Sequence, residues 1–239
     1  MAQIIRKNPS MLEQLKKSSC LPGVKKDTIR KIYDLGRVRQ YNRGEPVIHA
    51  REKFPFICFL LSGKVIEYNL THLGKRKILY IFGPGSLLND HVVDDHVSTI
   101  YCDTLEACTI LLIPQDIFLE LMEEDYSLVQ GIMRDQENKI RRLIHQLKNS
   151  VGNIYMDRRM ASKLWKLARD FGIPKDNGVE IDVNISVTLL ADMLGAPRET
   201  ASRLLKDLTN YGLIRHERKR IFIYDVDKLV HFFKTGEVE

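Results

Sequence analysis

The chain has 239 residues, 44% of them hydrophobic, enough for two domains with cores of their own. Lysine and arginine number 37 against 31 acidic residues, and the net charge of +6 suits a nucleic-acid partner without proving one. No apolar run approaches the ~20 residues of a membrane helix, and the opening MAQIIRKNPSMLEQLKK lacks the apolar core of a signal peptide, so membrane-spanning and secreted classes are excluded and the cytoplasm is expected.

The four cysteines, Cys20, Cys58, Cys102 and Cys108, form no CxxC pair and no iron–sulfur run. Reduced thiols are expected. Cys58 and Cys108 lie in apolar, strand-like runs and read as small core residues. Cys20 and Cys102 stay open between a redox sensor and a buried thiol.

Met11 to Asp34 reads as a basic, mainly helical lead-in broken at Leu21-Pro22-Gly23. A second helix begins at Lys26 or Asp27 and carries Ile29, Ile32 and Tyr33. From Arg37 to Ile113 the pattern changes to short strands. These are Val38 to Asn42, Phe56 to Leu61, Lys64 to Leu70, Lys77 to Phe82, Thr99 to Asp103 and Ala107 to Ile113, separated by glycine-bearing turns. Such spacing predicts a small antiparallel sandwich or barrel.

Pro114 opens a short helix with Ile117, Phe118 and Leu121. A long helix follows from about Tyr126 to Tyr155. Val129, Met133, Gln136, Ile140, Leu143, Leu147, Ser150 and Ile154 recur in alternating steps of four and three, a heptad seam. Thirty residues of helix span roughly 45 Å at 1.5 Å per residue, and a second copy of the same helix is the natural partner. Asp157 is expected to cap the next helix, which runs to Phe171 with Met160, Leu164, Trp165 and Leu167 on its core face. Gly172-Ile173-Pro174 is expected to stop it, and Asn177-Gly178 to turn into a strand over Val179 to Ile185.

The most informative stretch runs from Ile185 to Asp225. Ser186 caps a helix with Leu189, Leu190, Met193 and Leu194 at helical spacing, and Gly195 ends it. Pro197 then opens a second helix that puts Leu204, Leu205 and Leu208 inward and Arg198, Glu199, Ser202, Arg203 and Lys206 outward. Two short helices around a tight glycine turn describe a helix-turn-helix. Gly212 ends the second helix. Leu213 to His216 and Arg220 to Tyr224 form a hairpin with a basic tip, which makes the unit winged. Arginine can donate bidentately to the two acceptors of a guanine edge, and glutamate can accept from a cytosine amine. Thr200, Lys206, Arg215, Arg218, Lys219 and Arg220 suit phosphates.

The run PRETASRLLKDLTNYGLIRHERKRIFIYD resembles the recognition helix and wing of the cyclic-AMP receptor protein/Fnr (Crp/Fnr) regulators. The turns Arg43-Gly44, Ser62-Gly63 and Gly83-Pro84-Gly85-Ser86 resemble, in order, the cyclic-nucleotide-binding jelly roll of that family. The resemblance implies an α+β chain in three parts. Residues 1–125 would form an effector-sensing β-barrel with N-terminal helices, 126–156 a dimerisation helix, and 157–239 a winged helix-turn-helix. It implies that Arg198, Glu199 and Arg203 read base edges, with Glu199-x-x-Ser202-Arg203 matching the Fnr-type pattern. The expected target is palindromic double-stranded DNA with TGTGA-like or TTGA-like half-sites. The expected partners are a second copy of the chain and RNA polymerase.

The same resemblance bears on the effector. Asn89-Asp90-His91 stands where nucleotide-binding members carry Gly-Glu-Leu, and Ser98-Thr99 where they carry the Arg-Ser pair that grips the cyclic phosphate. Without that arginine, and with Asp90, Asp94 and Asp95 adding negative charge, a phosphate would be poorly held. The adenine-facing hydroxyl pair falls on Gln146 and Leu147. An N-terminal iron–sulfur cluster has only Cys20 to draw on. His91 falls near the haem-ligating position of carbon-monoxide-sensing members, which keeps haem as an alternative. A metal held by His91, Asp94, Asp95 and His96 is a further one. The remaining expectation is a small organic effector, held among Tyr68, Tyr80, Asn89, Asp90, His91, Tyr101 and Gln136. A scaffold that binds ligand but not DNA is the competing class. No nucleophile elbow, phosphate loop or HExxH is present, so no enzyme is expected.

Overall fold

The computed structural model describes residues 2–94, 96–148 and 155–238. Two compact units emerge, Met1–Asn69 with Leu79–Ile144, and Leu70–Ile78 with His145–Glu239.

The first unit opens with a two-residue strand, β1 (Gln3–Ile4), then α1 (Pro9–Lys16) and α2 (Lys26–Leu35). The Asn8 side chain caps α1 by accepting from the Met11 amide at 3.1 Å, with Pro9 in the first turn where no amide hydrogen is needed. Seven strands follow: β2 (Arg37–Tyr41), β3 (Pro46–Ile48), β4 (Phe56–Ser62), β5 (Val65–Leu70), β6 (Arg76–Phe82), β7 (Tyr101–Thr104) and β8 (Cys108–Pro114). With β1 they form two four-stranded sheets, ordered β1-β2-β8-β4 and β3-β7-β5-β6. The six expected strands are all present. Strands β1 and β3 were not expected.

Strands β4 and β8 read as continuous apolar runs because both their faces are covered. Cys58 and Leu60 of β4, with Ile110 and Leu112 of β8, point into the core between the sheets beside Val65, Tyr80, Phe82 and Cys102. Ile57, Phe59, Leu61, Leu111 and Ile113 point the other way and pack on Leu15, Ile32, Phe118, Leu128 and Ile132.

After β8 come α3 (Gln115–Glu124) and α4 (Tyr126–Lys148). Helix α4 has two faces. Leu128, Gly131, Ile132, Asp135 and Lys139 are buried. Met133, Ile140, Leu143, Ile144 and Leu147 are exposed although apolar. Gly131 is required where it stands, because a Cβ there would collide with the Cys20 carbonyl. Seam positions Val129 and Gln136 are half-buried, and Ser150 and Ile154 lie outside the described residues.

The second unit contains α5 (Met156–Phe171), β9 (Gly172–Lys175), β10 (Gly178–Ile181), α6 (Val187–Leu194), α7 (Arg198–Asn210), β11 (Ile214–Glu217), β12 (Arg220–Ile223) and α8 (Val226–Thr235). Asp157 is not the cap of α5. Tyr155 holds the cap position, and the Asp157 carboxylate accepts from the neighbouring Arg158 amide inside the first turn. Gly172-Ile173-Pro174 ends the helix as expected but continues as strand β9. Its place at the sheet edge tolerates a proline. The strand expected over Val179 to Ile185 stops at Ile181. The wing is therefore the outer part of a four-stranded sheet ordered β11-β12-β10-β9. Helix α8 was not expected. It is capped by Asp225, which accepts from the Asp227 and Lys228 amides, and it buries Leu229 and Phe232.

Candidate nucleic-acid interface and effector region

In the second unit the turn between α6 and α7 forms as the residues dictate. The Ser186 hydroxyl accepts from the Leu189 amide at 3.0 Å. Gly195 sits at φ 72°, a left-handed conformation that suits glycine. Pro197, expected at or near the first position of α7, takes the cap position with ψ 148°, and the helix starts at Arg198. Ala201, Leu204, Leu205 and Leu208 fix the inner face. Arg198, Glu199, Ser202, Arg203 and Lys206 are all exposed, while Thr200 is half-buried at the edge of the stripe. Among the described residues, the side chains of Arg198, Glu199, Arg203 and Lys206 have no partner within the chain.

The wing tip is a two-residue turn, with Glu217 paired to Arg220. Its residues Arg218 and Lys219 have φ of 46° and 69°, the geometry of a turn that matches strand twist. Both are exposed and aim charge outward. The other two wing arginines are engaged. Arg220 pairs with Asp182 at 2.8 Å. Arg215 lies 5.3 Å over the Phe222 ring and 3.8 Å from Glu217. The face thus offers forked donors and an acceptor on a helix, with point cations beside them. That is the equipment for base edges and phosphates respectively.

In the first unit the residues expected around an effector fall into two groups. One is a tightly bonded loop. Asp90 accepts from the Thr99 amide at 2.8 Å, the Thr99 hydroxyl at 2.7 Å and the Ser98 hydroxyl at 3.2 Å, and it meets His91 Nδ1 at 3.0 Å. Burial pushes the Asp90 carboxyl up, but the Thr99 and His91 bonds outweigh it and hold the group below its ordinary range. The Asn89 side chain is spent on β4, accepting from the Cys58 amide and donating to the Phe56 carbonyl, both at 2.8 Å. Tyr101 stacks on Tyr68 at 5.1 Å.

The other group lies where the barrel meets α4. The Tyr80 hydroxyl donates to the Lys139 carbonyl at 2.6 Å, and Gln136 reaches the Asn89 carbonyl at 3.5 Å. Burial pushes the Tyr80 phenol well up, so it is a neutral donor. Four residues here were missed by sequence reasoning: Glu67, Asp135, Lys139 and Arg142. Glu67 lies in a strand and the others on the helix, and only the packing of α4 on the barrel brings them together. Among the described residues no group of three or more His, Cys, Asp or Glu side chains is placed to hold a metal, and Asp95 lies outside them. No described helix is long and apolar enough to cross a membrane.

All four thiols are buried, which answers the question left open for Cys20 and Cys102 in favour of the core. Burial pushes Cys20 up to about 12 and raises Cys102 well above its ordinary value.

Comparison with known proteins agrees with this geometry. Residues 38–125 match the cyclic nucleotide-binding domain, and residues 158–232 match the Crp-like helix-turn-helix domain. A global nitrogen regulator of Synechocystis is 37% identical over 194 residues, covering 79% of this chain and 84% of the relative. A CRP-like cAMP-activated global transcriptional regulator of Mycobacterium tuberculosis is 23% identical over 222 residues, covering 92% of this chain and 98% of the relative. The structure of a CooA mutant from Carboxydothermus hydrogenoformans superposes with a TM-score of 0.74 at 20% identity, covering 97% and 98% of the two chains. A barrel of the nucleotide-binding type, an exposed Arg-Glu-Ser-Arg helix with its wing, and these likenesses together place the chain in the Crp/Fnr family of DNA-binding transcription regulators, which are not enzymes.

Proposed function

We propose that the protein is a homodimeric, effector-controlled regulator that reads palindromic DNA with GA-containing half-sites of the TGTGA or TTGA type. The observation that carries the reading is the outward row Arg198, Glu199, Ser202 and Arg203 on α7, whose arginines and glutamate have no partner within the chain among the described residues. Side chains left open on a helix braced by four buried apolar residues are free to meet bases. The exposed apolar row Met133, Ile140, Leu143, Ile144 and Leu147 on α4 supports pairing with a second copy, since a two-fold dimer matches a two-fold site. RNA polymerase is the partner such a regulator would meet at a promoter.

The effector is a small organic molecule rather than cyclic AMP. The bonds of Ser98 and Thr99, which stand at the phosphate-gripping position, are already taken by the Asp90 carboxylate.

The test is a gel-shift titration on a duplex with two inverted TGTGA half-sites. Arg203→Ala should weaken binding by about 1–3 kcal/mol and relax preference at one base position. Equal weakening on every sequence would sink base reading.

A further inference from the structure

Glu67 is buried among apolar residues, with 3% of its surface exposed, and its Oε1 has no hydrogen-bond partner. It lies on β5 two residues from Val65, and so on the same face, toward the core that holds Tyr80, Phe82, Leu88 and Cys102. The Asp135 Oδ2, on α4, also lacks a hydrogen bond. Buried carboxyl oxygens without donors are rare, and each calls for an explanation.

The surroundings supply one. Tyr80 and Phe82 stack at 5.1 Å. The Lys139 ammonium lies 5.3 Å over the Phe82 ring, and the Arg142 guanidinium 5.4 Å over the Tyr80 ring. Lys139 Nζ donates to the Leu87 carbonyl at 2.8 Å and the Asn89 carbonyl at 3.0 Å, and stands 3.6 Å from Asp135. The chain has thus placed its own cation in a nest of carbonyls, carboxylates and aromatic faces. Such a nest holds positive charge well. It does not hold negative charge, because Asp90 and Asp135 face the same region and the donors of Ser98 and Thr99 are spent on Asp90.

We propose that this place binds a small organic cation, a primary ammonium on an apolar body, which donates to Glu67 and Asp135, lies against Tyr80 and Phe82, and displaces the Lys139 side chain. This deepens the reading of the barrel as an effector domain and rests on it. Lys139 belongs to α4, whose opposite face carries the exposed apolar row, so its withdrawal acts on the helix proposed to join two copies. The groups acting on Glu67 are Lys139 and Arg142, which favour its charged form, and Asp90 and Asp135, which oppose it. Burial dominates and pushes Glu67 up to about 8, so binding a cation near neutral pH releases a proton.

The experiment is calorimetry on the full chain with benzylammonium, benzyl alcohol and benzoate. Benzylammonium should bind at least about tenfold more tightly than the alcohol. Its enthalpy at pH 7 should vary with the buffer's ionisation heat, reporting the released proton. Glu67→Gln should remove the preference, and Lys139→Met, which deletes the competing cation, should strengthen ammonium binding. Should Glu67→Gln fail to fold, the buffer dependence in the unaltered chain and the Lys139→Met comparison decide the matter. No ammonium binding in either the unaltered chain or Lys139→Met overturns the proposal. So does tighter binding of benzoate. Palindrome binding is measured separately, so a chain that binds DNA but no amine loses only this inference, and a chain that binds amine but never DNA loses the regulator reading.

Discussion

The Thr28 hydroxyl donates to the Asp125 carboxylate at 2.7 Å, tying α2 to the joint between α3 and α4. The same carboxylate accepts from the Lys25 amide at 3.2 Å and from the Ser127 amide and hydroxyl at 3.1 and 2.5 Å. Burial pushes Asp125 up, yet these bonds prevail and bring it to about 2. The folded value lies below the unfolded one, so the bonds stabilise the fold above pH ~4 and cease to do so as pH falls toward 2. Asp125→Asn should lower the urea midpoint at pH 6 by an amount equivalent to about 1–3 kcal/mol. The gap between variant and parent should narrow on acidification. A gap that stays constant down to pH 2.5 would refute the assignment.

Lys219 carries its charge at the wing tip with φ 69° and no side-chain partner among the described residues. Lys219→Ala should weaken specific and non-specific duplexes alike. A plot of log affinity against log salt should lose about one unit of slope, the signature of one phosphate contact. Unequal losses across sequences would mean the side chain reads bases.

Ile140 is 56% exposed and Ile144 60% exposed, side by side on the outer face of α4. Ile140→Glu should shift the sedimentation coefficient from dimer to monomer, and affinity for a palindrome should fall steeply while the far-ultraviolet spectrum stays unchanged. A variant that remains dimeric would place the contact elsewhere.

Cys20, Cys58 and Cys102 are fully buried, and burial pushes their thiols up, so the nucleophilic thiolate is scarce. Labelling with a thiol reagent at pH 7.5 should proceed only as fast as the barrel opens and should accelerate in urea along with unfolding. Rapid labelling of the native protein would contradict the packing.

The strands of the barrel are legible in sequence because alternation and turn glycines mark them, and β4 and β8 because unbroken apolar runs require cover on both faces. Strands β1 and β3 span two and three residues, too few for any period to show. Helix α8 also leaves a signal in the sequence, with Asp225 as a cap and then Val226, Leu229 and Phe232 at helical spacing. The outward residues of α7 follow from the 3.6-residue period alone. Glu67 does not. A lone acid in an alternating strand reads as facing water, and only the fold shows it turned, like Val65, toward the core between the sheets. Likewise Asn89 and Asp90 draw attention as polar loop residues, but only the structure shows their side chains committed to Cys58, Phe56, Ser98 and Thr99.

The two-residue tip joining β11 to β12 has one further consequence. Ile221 and Ile223 are buried and their neighbours are not, so adding a single residue and slipping the register would turn the greasy side of the ribbon outward. This part of the molecule can therefore diversify by exchanging the chemistry of positions 218 and 219, but hardly by growing. Relatives that contact different promoters through it would be expected to vary in charge while keeping the same span.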